Sequence, residues 1–342
     1  MKAWILNGVT DISNDSRPLV LAETPTPSPE GNEILIKVSC CGVCHTELDE
    51  IEGRTKPPKY PVIPGHQVIG VVESLAEEAS QFKKGDRVGV AWIYAACGIC
   101  EYCRVGLENL CELFQATGRD ANGGYAEYMK VSEKFVYRIP DTFTNEEAAP
   151  LLCAGAIGYR SLKLTNIKDG QSLGLTGFGA SGHLVLKMAK FLYPTSDVVV
   201  FARSEQEQDF ARSLGAYWVG NTSDEPPERL HAIIDTTPAW KPIVESLHYL
   251  RAGGRLIINA IRKENNDQSE LLKLNYPDHL WMEKEIKSVA NITRSDVSEF
   301  LSLAAKIPIK PEIEIYPFEE ANKALLDLKH KHIKGAKVLH IS

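Results

Sequence analysis

The chain has 342 residues, 44% of them hydrophobic and 24% charged, the makeup of an ordinary globular protein with room for two cores. Its 45 acidic against 38 basic side chains leave a formal net charge of −7, which argues against an electrostatic grip on nucleic acid. No stretch approaches the roughly 20 apolar residues of a membrane span, and eight cysteines without a secretory leader point to a reducing cytoplasm and to metal or catalytic use, not disulfides.

Met1-Lys2-Ala3-Trp4-Ile5-Leu6 carries one charge beside a short apolar patch and reads as a first strand, not a signal peptide. Pro25, Pro27 and Pro29 punctuate a loop between two early strands. Glu33–Ser39 alternates apolar and polar residues, as a half-buried strand does. Val68–Glu73 and Arg87–Ala91 are similar, the second following a Gly85-Asp86 turn. Then comes Cys97, Cys100, Cys103 and Cys111, four thiols within 15 residues at C-x2-C-x2-C-x7-C spacing. Such a set can converge on one tetrahedral zinc and leaves no open position, so it staples a lobe at 93–113 and catalyses nothing. A disulfide framework is the minor alternative. A zinc ribbon docking nucleic acid would need a basic surface, whereas the lobe carries Glu101, Glu108 and Glu112 against Arg104.

Near Pro150 the pattern changes. A strand at Ser172–Thr176 runs into glycines and an apolar helix at Ser181–Tyr193. Val198–Ala202, a polar helix at Glu205–Leu214 ending at Gly215, His231–Thr236 and Arg255–Asn259 continue the alternation. That rhythm predicts a doubly wound parallel sheet with helices on both faces. An amphipathic helix at Pro317–Leu328 and a closing strand at Lys337–Ile341 belong with the N-terminal β-rich part. The fold class is therefore α/β: a β-rich domain over 1–150 that resumes at 293–342, interrupted by a cofactor domain over 151–292.

Gly177-Phe178-Gly179-Ala180-Ser181-Gly182 fits G-x-G-x-x-G after a strand and at a helix start. Gly177 permits the tight turn, Gly179 lets the backbone approach a pyrophosphate, and Gly182 allows helix–strand packing. Ala180 and Ser181 complete the phosphate-facing turn. An NAD site wants an acid about 20 residues further on, but Phe201-Ala202-Arg203-Ser204 stands there instead. Arg203 and Ser204 suit a 2′-phosphate and favour NADP(H). With Glu205 or Glu207 on the ribose, NAD(H) stays open. Three further segments, Gly42–Glu47, Pro64–Gln67 and Pro150–Gly155, bring Cys44, His66 and Cys153, enough for a three-ligand zinc with an open fourth position.

Together these motifs, with Gly65 to Gly70, Gly123–Tyr128 and Ala252-Gly253-Gly254-Arg255 as a turn, resemble the zinc-dependent medium-chain alcohol dehydrogenases essentially end to end. The resemblance implies a GroES-like catalytic domain interrupted by a Rossmann domain, and two zinc ions per subunit. Cys44, His66 and Cys153 would hold the catalytic zinc, and Cys97, Cys100, Cys103 and Cys111 the structural one. It further implies that Thr46 bonds the substrate oxygen and relays its proton, that His45 faces the cofactor pyrophosphate, that Glu47 orients His66, and that Trp92 lines the substrate pocket. Gln67 departs from the family's usual Glu. Asp49 stands where a relay His is usual, so either it or bulk water takes the proton. The implied reaction is reversible hydride transfer between a primary or small secondary alcohol or aldehyde and NAD(P), by a homodimer or homotetramer joined through the Rossmann edge. A polyol dehydrogenase or aldehyde reductase is the near alternative; a zinc-free quinone or enone reductase would lack both thiol sets.

Overall fold

The computed structural model describes residues 1–13, 16–307, 309–330 and 335–342. The chain divides into two compact units, Met1–Cys153 together with Ile292–Ser342, and Ala154–Asn291.

The first unit is organised by the strand Glu33–Val43, which pairs antiparallel with Val68–Leu75 along one edge and, along the other, with Tyr128–Ser132 at its start and Ala336–His340 at its end. The sheet extends to Ile313–Pro317 at one edge and through Arg87–Val90 to Val136–Arg138 at the other. The strand runs four residues beyond Ser39. Cys40, Cys41, Gly42 and Val43 are all buried, so polar residues stop alternating where both faces are covered. Near the C-terminus a correction is needed. Pro317 is not in a helix: it ends the Ile313–Pro317 strand opposite His340, Phe318–Glu320 forms a 3-10 turn, and the helix is Ala321–His330. Proline's fixed φ suits a strand end as well as a helix start. The helix buries Ala321, Ala324 and Leu325, spaced i, i+3, i+4, in the same core as Trp4, Ile36 and Val72. The Trp4 indole donates to the Phe318 carbonyl at 2.8 Å, tying the return segment to the first strand.

The second unit carries a six-stranded sheet in the order 218–220, 198–201, 173–176, 230–235, 250–258, 285–288, every pair parallel. Its central strands are continuous apolar runs (Leu173, Leu175, Val199, Val200, Ile233 and Ile234 are fully buried), as a sheet covered on both faces requires. Ala252–Arg255 is not a free turn but part of the strand Leu250–Ile258. Gly253 at φ +69° and a register shift opposite Leu230/Ala232 make it a bulge. The helix Gly182–Leu192 buries Leu184, Val185, Met188 and Ala189, and Glu205–Ser213 ends with Gly215 at φ +84°. No helix among the described residues is long and apolar enough to cross a membrane.

Candidate active site

Two thiol-rich clusters form in the first unit. Cys44 leaves the central strand as the N-cap of the short helix His45–Ile51. Its backbone N–H donates to Glu47 Oε2 at 2.8 Å, a capping box closed by Glu47. The other oxygen, Glu47 Oε1, lies 2.6 Å from His66 Nδ1, with both side chains wholly buried. One carboxylate thus caps the helix and pairs with Nδ1, which leaves Nε2 as the nitrogen that would ligate a metal. His66 follows Gly65 at φ +97°, where a Cβ would stand 2.3 Å from the Tyr125 ring. The Gly123–Tyr125 backbone clamps this loop, donating to the carbonyls of Ile63, Gly65 and Pro64 at 2.7, 2.9 and 3.0 Å. Cys153 ends the buried 3-10 turn Ala149–Leu152.

Cys44 Sγ and Cys153 Sγ are 4.0 Å apart, and His66 Nε2 is 3.3 Å from Cys153 Sγ. A tetrahedral zinc, with Zn–S about 2.3 Å and Zn–N about 2.0–2.1 Å, sets edges of about 3.8 and 3.5 Å. The donors fit the metal in kind and spacing. Their electrostatics ask for a cation as well. A hydrogen bond from Cys153 holds the Cys44 thiol well below the ordinary range and pushes Cys153 well above it. Burial disfavours a charged His66, yet the Glu47 carboxylate and the Cys44 thiolate outweigh it and hold the imidazole well above its usual value. Burial raises Glu47 against the pull of His66.

In the second cluster the four sulfurs of Cys97, Cys100, Cys103 and Cys111 lie within 4.8 Å of one another. The N–H groups of Cys100 and Cys103 point at Cys97 Sγ and Cys100 Sγ at 3.3 and 3.5 Å. Backbone N–H groups of Ile99 and Cys100 lower Cys97 to about 6, whereas burial pushes Cys103 up to about 12, so the set holds thiolate and thiol side by side. The lobe is fastened by Arg294, whose Nε donates to the buried Glu108 carboxylate at 2.6 Å.

The structure places the remaining residues as follows. Thr46 Oγ1 is 3.7 Å from Cys44 Sγ, and His45 is exposed in the first helical turn. Asp49 is buried on that helix and receives the Arg54 guanidinium. Gln67 packs its amide where Gly42 leaves room; a Cβ there would meet Oε1 at 2.5 Å. Trp92 lies against Phe114, ring centroids 5.1 Å apart and planes tilted by 34°. In the second unit Gly177 has φ +80° and Gly182 closes on the Gly177 carbonyl, while nothing lies within 4 Å of a Cβ on Gly179. With the exposed Ala180 and the half-buried Ser181 at the start of the Gly182–Leu192 helix, that open face fits a pyrophosphate. Arg203 and Ser204 are exposed at the end of the 198–201 strand. Sequence reasoning missed Glu50, a buried carboxyl one turn beyond Thr46 that burial and then the Glu47 charge push well up. Its i, i+3 spacing from Glu47 was the available signal.

The two units and the open three-ligand site define a zinc-dependent, nicotinamide-linked dehydrogenase. The family described as alcohol dehydrogenase GroES-like domain matches residues 30–141. Over 332 residues the chain is 40% identical to the protein described as probable alcohol dehydrogenase AdhA of Mycobacterium tuberculosis, covering 96% of this chain and 94% of that one. An alcohol dehydrogenase of Geobacillus stearothermophilus is 33% identical over 350 residues, covering 100% and 99%. Among solved structures, a cinnamyl alcohol dehydrogenase from Sorghum bicolor superposes with a TM-score of 0.86 at 28% identity, over 99% of this chain and 97% of that one. The chain belongs to the zinc-containing medium-chain alcohol dehydrogenases, oxidoreductases that act on alcohols.

Proposed function

We propose that this chain interconverts a small primary or secondary alcohol and its aldehyde or ketone, passing hydride to and from a nicotinamide cofactor with NADP(H) preferred over NAD(H). The observation that carries it is the Cys44–His66–Cys153 triad with Glu47 behind it. Zinc held there supplies Lewis acidity at the substrate oxygen. Thr46, beside Cys44, accepts the hydroxyl proton and hands it on; Glu47 keeps His66 in its ligating tautomer. Because Arg54 already engages Asp49, water is the better terminal acceptor. Trp92 and Phe114 form an aromatic slab suited to slim substrates.

The cofactor preference rests on Arg203. Glu207, the acid nearest the strand end after Glu205, is committed to capping: Ser204 Oγ donates to its Oε2 at 3.0 Å and accepts from its N–H at 3.2 Å. The Ser204 hydroxyl is engaged by the same box, which leaves the guanidinium as the principal 2′-phosphate contact. A relative from Helicobacter pylori, 25% identical with a TM-score of 0.84 over 99% of this chain and 97% of that one, was solved with NADP(H). The exposed edge strand Glu285–Ser288, flanked by exposed Trp281 and Met282, supports a homodimer made by pairing two such edges. Eight free cysteines accord with a reducing cytoplasm.

The test is a spectrophotometric screen of short primary alcohols and aldehydes with each cofactor, coupled to a zinc count. Two zinc ions per chain and faster turnover with NADP(H) are expected. A zinc-free protein, or no cofactor-linked turnover of any alcohol, overturns the reading.

A further inference from the structure

We infer that Lys263 is a positioning residue for the cofactor: its ammonium locks the loop at 236–239 into the shape that walls the crevice beside Gly177. The inference rests on reading the Gly177–Gly182 turn as the phosphate seat.

In the six-stranded sheet, chain order reverses between the 173–176 strand and its neighbour 230–235. Ligands of open α/β sheets bind outside the carboxyl ends of the strands at that switch point. Asp235 ends the second of these strands and is wholly buried. Its Oδ1 accepts from Thr176 Oγ1 at 2.6 Å and from Thr237 Oγ1 at 2.8 Å, and Lys263 Nζ meets its Oδ2. The same ammonium donates to the Thr237 and Ala239 carbonyls at 2.7 and 3.1 Å. All three N–H bonds of the lysine are then satisfied within the protein, so it has none to offer a phosphate and acts through the loop it holds.

The other face of that loop is tied to the glycine turn. Thr236 Oγ1 donates to the Thr176 and Gly177 carbonyls at 3.1 and 3.3 Å. The Glu264 N–H donates to the Pro238 carbonyl at 2.8 Å, bracing the loop from the lysine's own segment. A chain of bonds thus runs from Lys263 through Asp235 and Thr236 to Gly177. Removing the ammonium leaves the Asp235 carboxylate buried without its counter-charge and frees two carbonyls of the wall.

The test is fluorescence titration of NADPH and NADH into the zinc-loaded wild type, Lys263→Met and Thr236→Val, with steady-state kinetics alongside. Lys263→Met should raise the Kd and KM of the cofactor about tenfold, while zinc content, alcohol KM and kcat at saturating cofactor stay within about twofold of wild type. Thr236→Val keeps the ion pair, buries no charge and severs only the hydroxyl's ties to the Thr176 and Gly177 carbonyls, so it should raise the cofactor Kd about threefold. It decides the matter alone if Lys263→Met does not fold. An unchanged cofactor Kd in the folded variants overturns the inference, as does a parallel loss of kcat, alcohol KM and zinc, which marks a merely structural lysine. A wild type that binds neither cofactor overturns instead the reading of the glycine turn.

Discussion

Replacing Glu47 by Ala removes two bonds at once, and the structure allows each to be valued. The first is the cap on the Cys44 N–H, for which loss of a capping side chain costs about 0.5–2 kcal/mol. The second is the acceptor for His66 Nδ1; leaving a buried donor unpaired costs about 1–3 kcal/mol. Together they predict a loss of about 1.5–5 kcal/mol, and a weakening of the catalytic zinc by about 10–100-fold from the freed imidazole. A control exists within the same chain. Ser204 and Glu207 form a capping box of the same kind on a helix whose cap residue is no metal ligand, so Glu207→Ala should lose only the cap, about 1 kcal/mol. Thermal unfolding of both variants, with chelator competition for each of the two zinc ions, separates the contributions. If Glu47→Ala holds its weaker zinc as tightly as Glu207→Ala does, the orienting role assigned to Glu47 is wrong.

Cys153→Ser should abolish turnover in a protein that still folds with one zinc, whereas Cys103→Ser should lose the other zinc and unfold at lower temperature; metal analysis and calorimetry check both. Arg203→Asp with Ser204→Ala should shift the kcat/KM ratio toward NAD(H), and an unchanged ratio would remove the 2′-phosphate reading. Asp267 accepts the Trp240 and Lys241 N–H groups at the start of the Lys241–Tyr249 helix; burial opposes its charge, yet these bonds hold its carboxyl below the usual range. A depressed carboxylate stabilises the fold above its unfolded pKa of 3.8 and ceases to as pH falls through the lower folded value. The Tm gap between wild type and Asp267→Ala should therefore be full at neutral pH and close on strong acidification. Leu325→Ala, deep in the first core, should cost about 2–5 kcal/mol by denaturant titration with the zinc content unchanged.

How much could be read from the chain follows from which forces are local. The glycine turn, the four-cysteine lobe and the alternation of strands and helices are written in short spacings, and each appears where those spacings put it. The reading failed where neighbours override local pattern. Residues 40–43 do not alternate because both faces of the strand are buried there; Pro317 closes a pairing with His340 that only the folded sheet reveals. Gly253 and Gly254 bend a strand without ending it. At the site, sulfur and imidazole ligands are chemically conspicuous, whereas Arg54 on Asp49, Arg294 on Glu108 and Lys263 on Asp235 are ordinary surface residue types until a partner from another segment is brought beside them. The capping use of Glu207 was legible in Ser204-x-x-Glu207, a pattern also open to reading as a ribose site.

The pairing of Ala336–His340 with the end of the central strand has a consequence for biosynthesis. Residues 40–43, which lead into Cys44, are flanked by a strand that is made long after them. On the ribosome, Cys44, His66 and Cys153 are all available long before the strand that braces the first of them emerges. The intervening 138 residues of the second unit have time to fold as a body of their own in that interval. The brace on Cys44 is therefore the late-made part of the site, and a change in the 336–340 strand reaches the triad through its pairing with residues 40–43.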